Sequence, residues 1–274
     1  MSTSGDFVVH EQSRAGAELR CLAFGESGDW VVLVHGLCGH ALEWRETAVC
    51  LVDKGYRVLV PEQRGHGQSE RRPSDVSRSA FVADIALWLT TVCFEPVNLV
   101  GQSLGAHTAF LLARRQSHLV RSLVVVEATP KTDDTALPRL TRWLEQWPVP
   151  FATREAALAF FGGDTAYGRA WTDGLEHRAD GLWPRFDTDI MHGALADCRR
   201  QGHWDEWTAV RCPTLVVRGE RGMDIDVARR MCDLVPSASL VSIPDAGHDA
   251  HLEQPQAWCK CLASFLETTG SQRR

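Results

Sequence analysis

The chain has 274 residues, 44% of them hydrophobic and 23% charged, enough for one large domain or for a core carrying an inserted module. Its formal charge of -6 speaks against a sequence-independent nucleic-acid binder, which needs a basic face for the phosphates. No run approaches the ~20 apolar residues of a membrane span. The first thirty residues lack the basic start and apolar stretch of a secretory leader, and nine cysteines are scattered through apolar segments. A cytoplasmic chain with reduced thiols is expected, with a small-molecule substrate and neither membrane nor nucleic acid as partner.

Two weaker apolar segments, Phe7 to His10 and Leu19 to Phe24, suit an antiparallel entry hairpin. Trp30 to Val34, Arg57 to Val60 and Val97 to Val100 are short, continuous and rich in β-branched residues. That is the pattern of parallel strands covered on both faces. Between them, Ala41 to Lys54, stopped by Gly55, and Ser77 to Val92 are predicted helices, the second with apolar residues three and four apart. A helix over Leu104 to Gln116 and a strand over Ser122 to Val126 continue the alternation. Past Pro130 the character changes. Pro138, Pro148, Pro150, Gly162, Gly163 and Gly181 break the chain into short helical pieces as far as about Arg211, and six of the ten tryptophans fall here. Strand and helix then resume with Pro213 to Val217, Asp226 to Val235, Ser239 to Ile243 and Pro255 to Leu266. The fold class predicted is α/β, a doubly wound, mostly parallel sheet with roughly eighty residues inserted between two of its strands.

Gly101-Gln-Ser-Leu-Gly105 matches G-x-S-x-G, directly after an apolar strand and directly before a helix. So tight a turn calls for glycine on both sides, and it would hold Ser103 at the top of the sheet with a helix N-terminus behind it. A nucleophilic serine needs a base from elsewhere in the chain. His248 follows the last predicted strand, where open α/β sheets keep their sites, and it is preferred over His66, His107 and His251. A donor pair for an oxyanion is the third requirement. The backbone N–H of Leu37, in His35-Gly-Leu-Cys-Gly39, and that of Leu104 are the candidates.

Together these pieces resemble the α/β-hydrolase superfamily over nearly the whole chain. The resemblance rests on His35-Gly36, on Pro61-Glu-Gln-Arg-Gly-His-Gly-Gln-Ser69, on the turn at Ser103, and on Gly247-His248 followed by His251-Leu-Glu-Gln-Pro255. It implies a core of residues 1–130 and 212–274 and a helical cap of residues 131–211 over the active site. It also implies a triad acid, usually found in the loop after the seventh strand, within about four residues of a glycine such as Gly219. In this chain Gly222 occupies the place where an aspartate often stands. Asp224 is the nearest aspartate, although it or Asp226 is also placed to cap the next helix. Glu127 ends the sixth strand, the point at which relatives such as the haloalkane dehalogenases keep their acid. Glu220 is a third candidate, and position in sequence leaves the choice open.

Dehalogenases and epoxide hydrolases of the superfamily use an aspartate nucleophile. With serine at that place, the resemblance favours acyl-enzyme hydrolysis of a carboxylic ester, lactone or thioester, without cofactor or metal. Cys259-x-Cys261 has the wrong spacing for zinc and falls on a predicted helix, and Cys38 reads as an apolar filler beside the oxyanion loop. Trp143, Trp147, Trp171 and Trp183 either form the cap's own core or line an apolar pocket. Trp143 and Trp147 are the candidates for binding a small to medium hydrophobic substrate, while Arg139, Arg142 and Arg154 are expected in solvent. Two rival readings keep the fold and change the chemistry. One is a C–C hydrolase, lyase or epimerase using His248 on a carbon acid, and the other is a ligand-binding protein with little turnover. A binder has no need of a strained turn, which favours the hydrolase.

Overall fold

The computed structural model describes residues 5–200 and 202–271. Two antiparallel strands, β1 (Phe7–Arg14) and β2 (Ala17–Phe24), enter the sheet, followed by β3 (Trp30–Val34) and helix α1 (Arg45–Val52). Next come β4 (Arg57–Glu62), α2 (Arg78–Trp88), β5 (Val97–Gln102), α3 (Leu104–Arg115) and β6 (Val120–Val126). The insert then holds α4 (Ala136–Glu145), α5 (Arg154–Phe160), α6 (Ala166–Asp173), the hairpin β7 (Leu175–Arg178) and β8 (Gly181–Pro184), α7 (Thr188–Arg200) and α8 (Trp204–Thr208). The chain closes with β9 (Thr214–Gly219), α9 (Ile225–Leu234), β10 (Ala238–Ile243), α10 (Ala250–Glu253) and α11 (Pro255–Ser271).

Eight strands form one sheet in the order β1-β2-β4-β3-β5-β6-β9-β10, parallel from β4 onward. Side chains on a strand alternate between faces, so a run of apolar residues feeds two cores at once. Val32 and Val34 join Ile85, Phe110 and Met231 on the face covered by α2, α3 and α9. Val31 and Leu33 join Trp44, Leu51 and Trp258 on the face covered by α1 and α11. The unbroken Trp-Val-Val-Leu-Val run of β3 is therefore what a strand buried on both sides requires. Among the described residues no helix is long and apolar enough to cross a membrane.

Between β6 and β9 the chain leaves the sheet, as its proline and glycine content predicts, but the insert is not wholly helical. Residues 175–184 pair as a hairpin, and Leu182 also bridges to Phe151. Nor does the whole insert stand apart. Trp207 and Val210 are buried in the same cluster as Val216 and Ala228, so the last turn before β9 packs with the sheet.

β3 lies between β4 and β5, so the connections from β3 and β5 run to opposite sides and leave a crevice at the carboxyl ends of the strands. The loop after β3 and the turn after β5 open into that crevice.

Candidate active site

Ser103 sits between β5 and α3 with φ 50° and ψ -116°, in the left-handed region that a residue with a Cβ avoids. Such a backbone costs about 1–3 kcal/mol and persists where its surroundings enforce it. Two contacts do so here. The Ser103 amide donates to the Val126 carbonyl of β6 at 2.8 Å. A Cβ at Gly105 would stand 2.2 Å from the Val34 carbonyl oxygen, so a larger residue would lift α3 off β3. The Leu104 amide is the first of α3, one of the four that a helix leaves without an internal acceptor. Ser103, Leu104, Leu37 and His248 all line one cavity of about 1120 Å³ between the sheet and the insert.

Of the three candidate acids, Glu127 is the one whose carboxylate lies against the His248 ring. The residue directly after β6 turns with φ 53°, and its carboxylate is 3% exposed. Oε1 accepts from the amides of Gly219 at 2.6 Å and Met223 at 3.0 Å, and Oε2 accepts from Met223 at 2.8 Å. Oε2 also lies 3.4 Å from His248 Nδ1. A Cβ at Gly222 would stand 2.2 Å from Glu127 Oε1, so this carboxylate fills the space that a side chain at position 222 would need. Asp224 lines the cavity but spends its carboxylate on the N-cap of α9, accepting from Asp226 at 2.8 Å and Val227 at 3.3 Å. The structure thus commits the Asp224 carboxylate to a helix cap and brings that of Glu127 to His248. Glu220 is turned to the Asp245 amide, 3.1 Å away.

His248 has a 57% exposed side chain because it faces the cavity. Being surrounded by protein lowers its pKa, but the hydrogen bond to Glu127 and the charges of Asp249 and Glu127 outweigh this and hold it above its ordinary value. The turn before Ser103 reaches the same loop: Gln102 donates through Nε2 to the His248 carbonyl at 3.0 Å and to Asp249 Oδ1 at 3.1 Å. Gln102 lies inside the pentapeptide read for its serine and glycines, so the signal was present without its meaning. His35 has a different task. The Gln63 amide donates to its Nε2 at 3.0 Å, so Nδ1 carries the proton given to the Gly36 carbonyl at 2.8 Å. Burial pushes its pKa down to about 3, and it holds the loop as a neutral ring.

The insert supplies the far wall of the cavity. Trp143 and Trp171 line it, together with Leu140 and Tyr167. Trp147 does not. It is 7% exposed and packed among Phe151, Phe161, Phe186 and Trp171, so the substrate-binding expectation is corrected to a core role. Arg139, expected in solvent, also lines the cavity and pairs with Asp133 at 3.1 Å. His251 is buried away from the cavity and stacks on Trp44 at 4.1 Å. All nine cysteines are free thiols.

Comparison with known proteins agrees with this geometry. The sequence matches the family model of the alpha/beta hydrolase fold over residues 29–255. It is 26% identical to a 2-(acetamidomethylene)succinate hydrolase of Mesorhizobium japonicum, over 88% of this chain and 89% of that one. It is also 26% identical to an sn-1-specific diacylglycerol lipase of Mus musculus, over 86% of this chain and 80% of the lipase. The crystal structure of an E-2-(acetamidomethylene)succinate hydrolase superposes with a TM-score of 0.86 at 23% identity, covering 96% of this chain and all of the other (100%). With most of its length matched and the sheet order observed, the chain belongs to the alpha/beta hydrolase family of enzymes.

Proposed function

We propose that the protein is a cofactor-independent serine hydrolase that cleaves a carboxylic ester, lactone or thioester through an acyl-enzyme. The observation that carries this reading is the Glu127–His248 pair opening onto the same cavity as the strained Ser103. In this scheme Ser103 Oγ attacks the substrate carbonyl carbon while His248 takes its proton as general base. The Leu37 and Leu104 amides stabilise the oxyanion as it forms. Collapse of the tetrahedral species breaks the bond to the leaving group, which receives the proton from His248. Water then adds to the acyl-enzyme with the same base, releasing the acid and restoring Ser103. Glu127, acting through Nδ1, keeps the ring in the tautomer that leaves Nε2 free and stabilises the imidazolium that appears in each half-reaction.

The apolar wall of Trp143, Trp171 and Leu140 supports a small to medium hydrophobic acyl or alcohol part as the substrate's bulk. Aliphatic p-nitrophenyl esters of increasing chain length, with matching lactones and thioesters, test the reading. Turnover of at least one class, with a burst of p-nitrophenol equal to the enzyme present when deacylation is slow, is the expected result. Pure, folded protein that turns over none of them would count against acyl-enzyme chemistry.

A further inference from the structure

Beneath the loop that follows β3 lies a buried carboxylate to which the chemistry above gives no role. Glu43 is 8% exposed. Its Oε2 accepts from the His40 amide at 3.1 Å. A Cβ at Gly39 would stand 2.4 Å from that same oxygen, so the carboxylate is packed into the hollow of the loop. Burial pushes the carboxyl up from the usual range, while the nearby imidazoles of His35 and His40 and hydrogen bonding to the backbone of His40 and Gly36 pull it back. Glu43 thus holds the loop just past Leu37, at the Gly39 hollow and the His40 amide.

The His40 ring extends that hold. His40 Nε2 is 2.8 Å from the Ala170 carbonyl of α6, so this nitrogen carries the proton and donates it. Its ring also lies where a Cβ on Gly174 would come within 2.8 Å of Cδ2, which seats it closely against the end of the helix. The same α6 presents Tyr167 and Trp171 to the cavity. On the opposite side Glu43 Oε1 is 3.5 Å from Nε2 of His251, one helical turn beyond His248. Glu43 and His40 together therefore join the loop carrying Leu37 to the cap helix facing the substrate, with the His251 ring packed close by.

We propose that Glu43 is a positioning residue. It holds the oxyanion loop in shape and, through His40, ties that shape to the seating of α6. The inference rests on the serine-hydrolase reading above. Leucine has a similar volume but leaves the buried His40 amide without its acceptor, which lowers stability whatever the role of Glu43. A merely structural Glu43 would show that loss in unfolding alone, with the turnover of the folded leucine variant unchanged.

Three variants test this, using an ester that the wild type turns over. Glu43→Gln keeps an oxygen acceptor for the His40 amide and should stay near wild type. Glu43→Leu removes it, and kcat should fall about tenfold to hundredfold at unchanged KM, the loss expected of a displaced oxyanion donor. Labelling of Ser103 by a fluorophosphonate, whose adduct uses the same donors, should slow by a similar factor. His40→Phe keeps the ring volume, loses the bond to Ala170 and should lower kcat in the same direction; it carries the test should the leucine variant not fold. Wild-type kcat and labelling rate in folded Glu43→Leu, or in His40→Phe, would overturn the inference and leave the serine-hydrolase reading standing. A wild type that takes no fluorophosphonate would overturn both.

Discussion

Glu127 differs from the other acidic residues near the site in that two main-chain amides hold its carboxylate against the His248 ring. A general base works only when neutral, and in the proposed scheme that base is His248, which Glu127 and Asp249 hold above its ordinary pKa. The rate should therefore be low on the acid side and climb as pH rises through that raised value. Glu127→Gln removes the charge and, because the Gly219 and Met223 amides claim the one oxygen that remains, turns an NH2 toward Nδ1 in place of an acceptor. Its acid limb should move to lower pH and its plateau should fall by up to about 10⁴-fold. A Glu127→Gln profile superimposed on the wild type would contradict this. Asp224→Ala should behave oppositely, lowering stability by about 1 kcal/mol through the lost helix cap without moving the profile. Gly222→Ala reports on the same carboxylate from another side. Its new methyl must displace Glu127, so kcat should drop although no group of the reaction has been changed; a wild-type kcat in folded protein would show that the space beside Glu127 is not needed.

At the scale of elements, the insert is clamped to the core by two arginines in the loop after β4. Arg71 pairs with Asp187 at 2.7 Å and with Glu176 at 3.1 Å, and donates to the Pro184 and Phe186 carbonyls at 3.2 and 3.0 Å. Arg72 pairs with Asp187 and, at 2.6 Å, with Asp189. Exposed ion pairs are weak singly and are screened by salt, so the network and its two carbonyl bonds give the clamp what strength it has. Arg71→Ala should speed amide hydrogen exchange over residues 182–190, and added salt should narrow the gap to wild type. Unchanged exchange there would place the hold on the insert elsewhere. A second tie lies inside the core, where Arg64 is 1% exposed and binds both oxygens of Asp84 at 2.6 and 2.7 Å. Removing one partner leaves a buried charge unmatched, so Asp84→Ala should cost about 3–5 kcal/mol in urea unfolding. A loss below about 1 kcal/mol would mean that water reaches the guanidinium.

Over the whole molecule, what could be read from the sequence was whatever local chemistry dictates. The continuous β-branched runs of β3 and β5 state that both faces are covered, and Ser77 before α2 accepts from the Ala80 amide as a helix cap should. The turn at Ser103 was legible because its glycines answer a backbone approach only a few residues away. The acid was not. Choosing Glu127 over Asp224 depends on how the end of β6 meets the loop after β9, a meeting that no spacing in the chain records. Trp147 and Trp143, four residues apart on and just beyond α4, likewise differ only in which neighbours the folded insert brings to them. Trp207 was counted with the insert because composition changes gradually there, whereas its burial follows from α3 and α9 closing over it. Intact-mass analysis after incubation with a fluorophosphonate tests most directly whether these parts act together. A single adduct on the wild type, absent from Ser103→Ala and from His248→Ala, is the predicted result. A folded wild type without an adduct, or an adduct that survives Ser103→Ala, would contradict it.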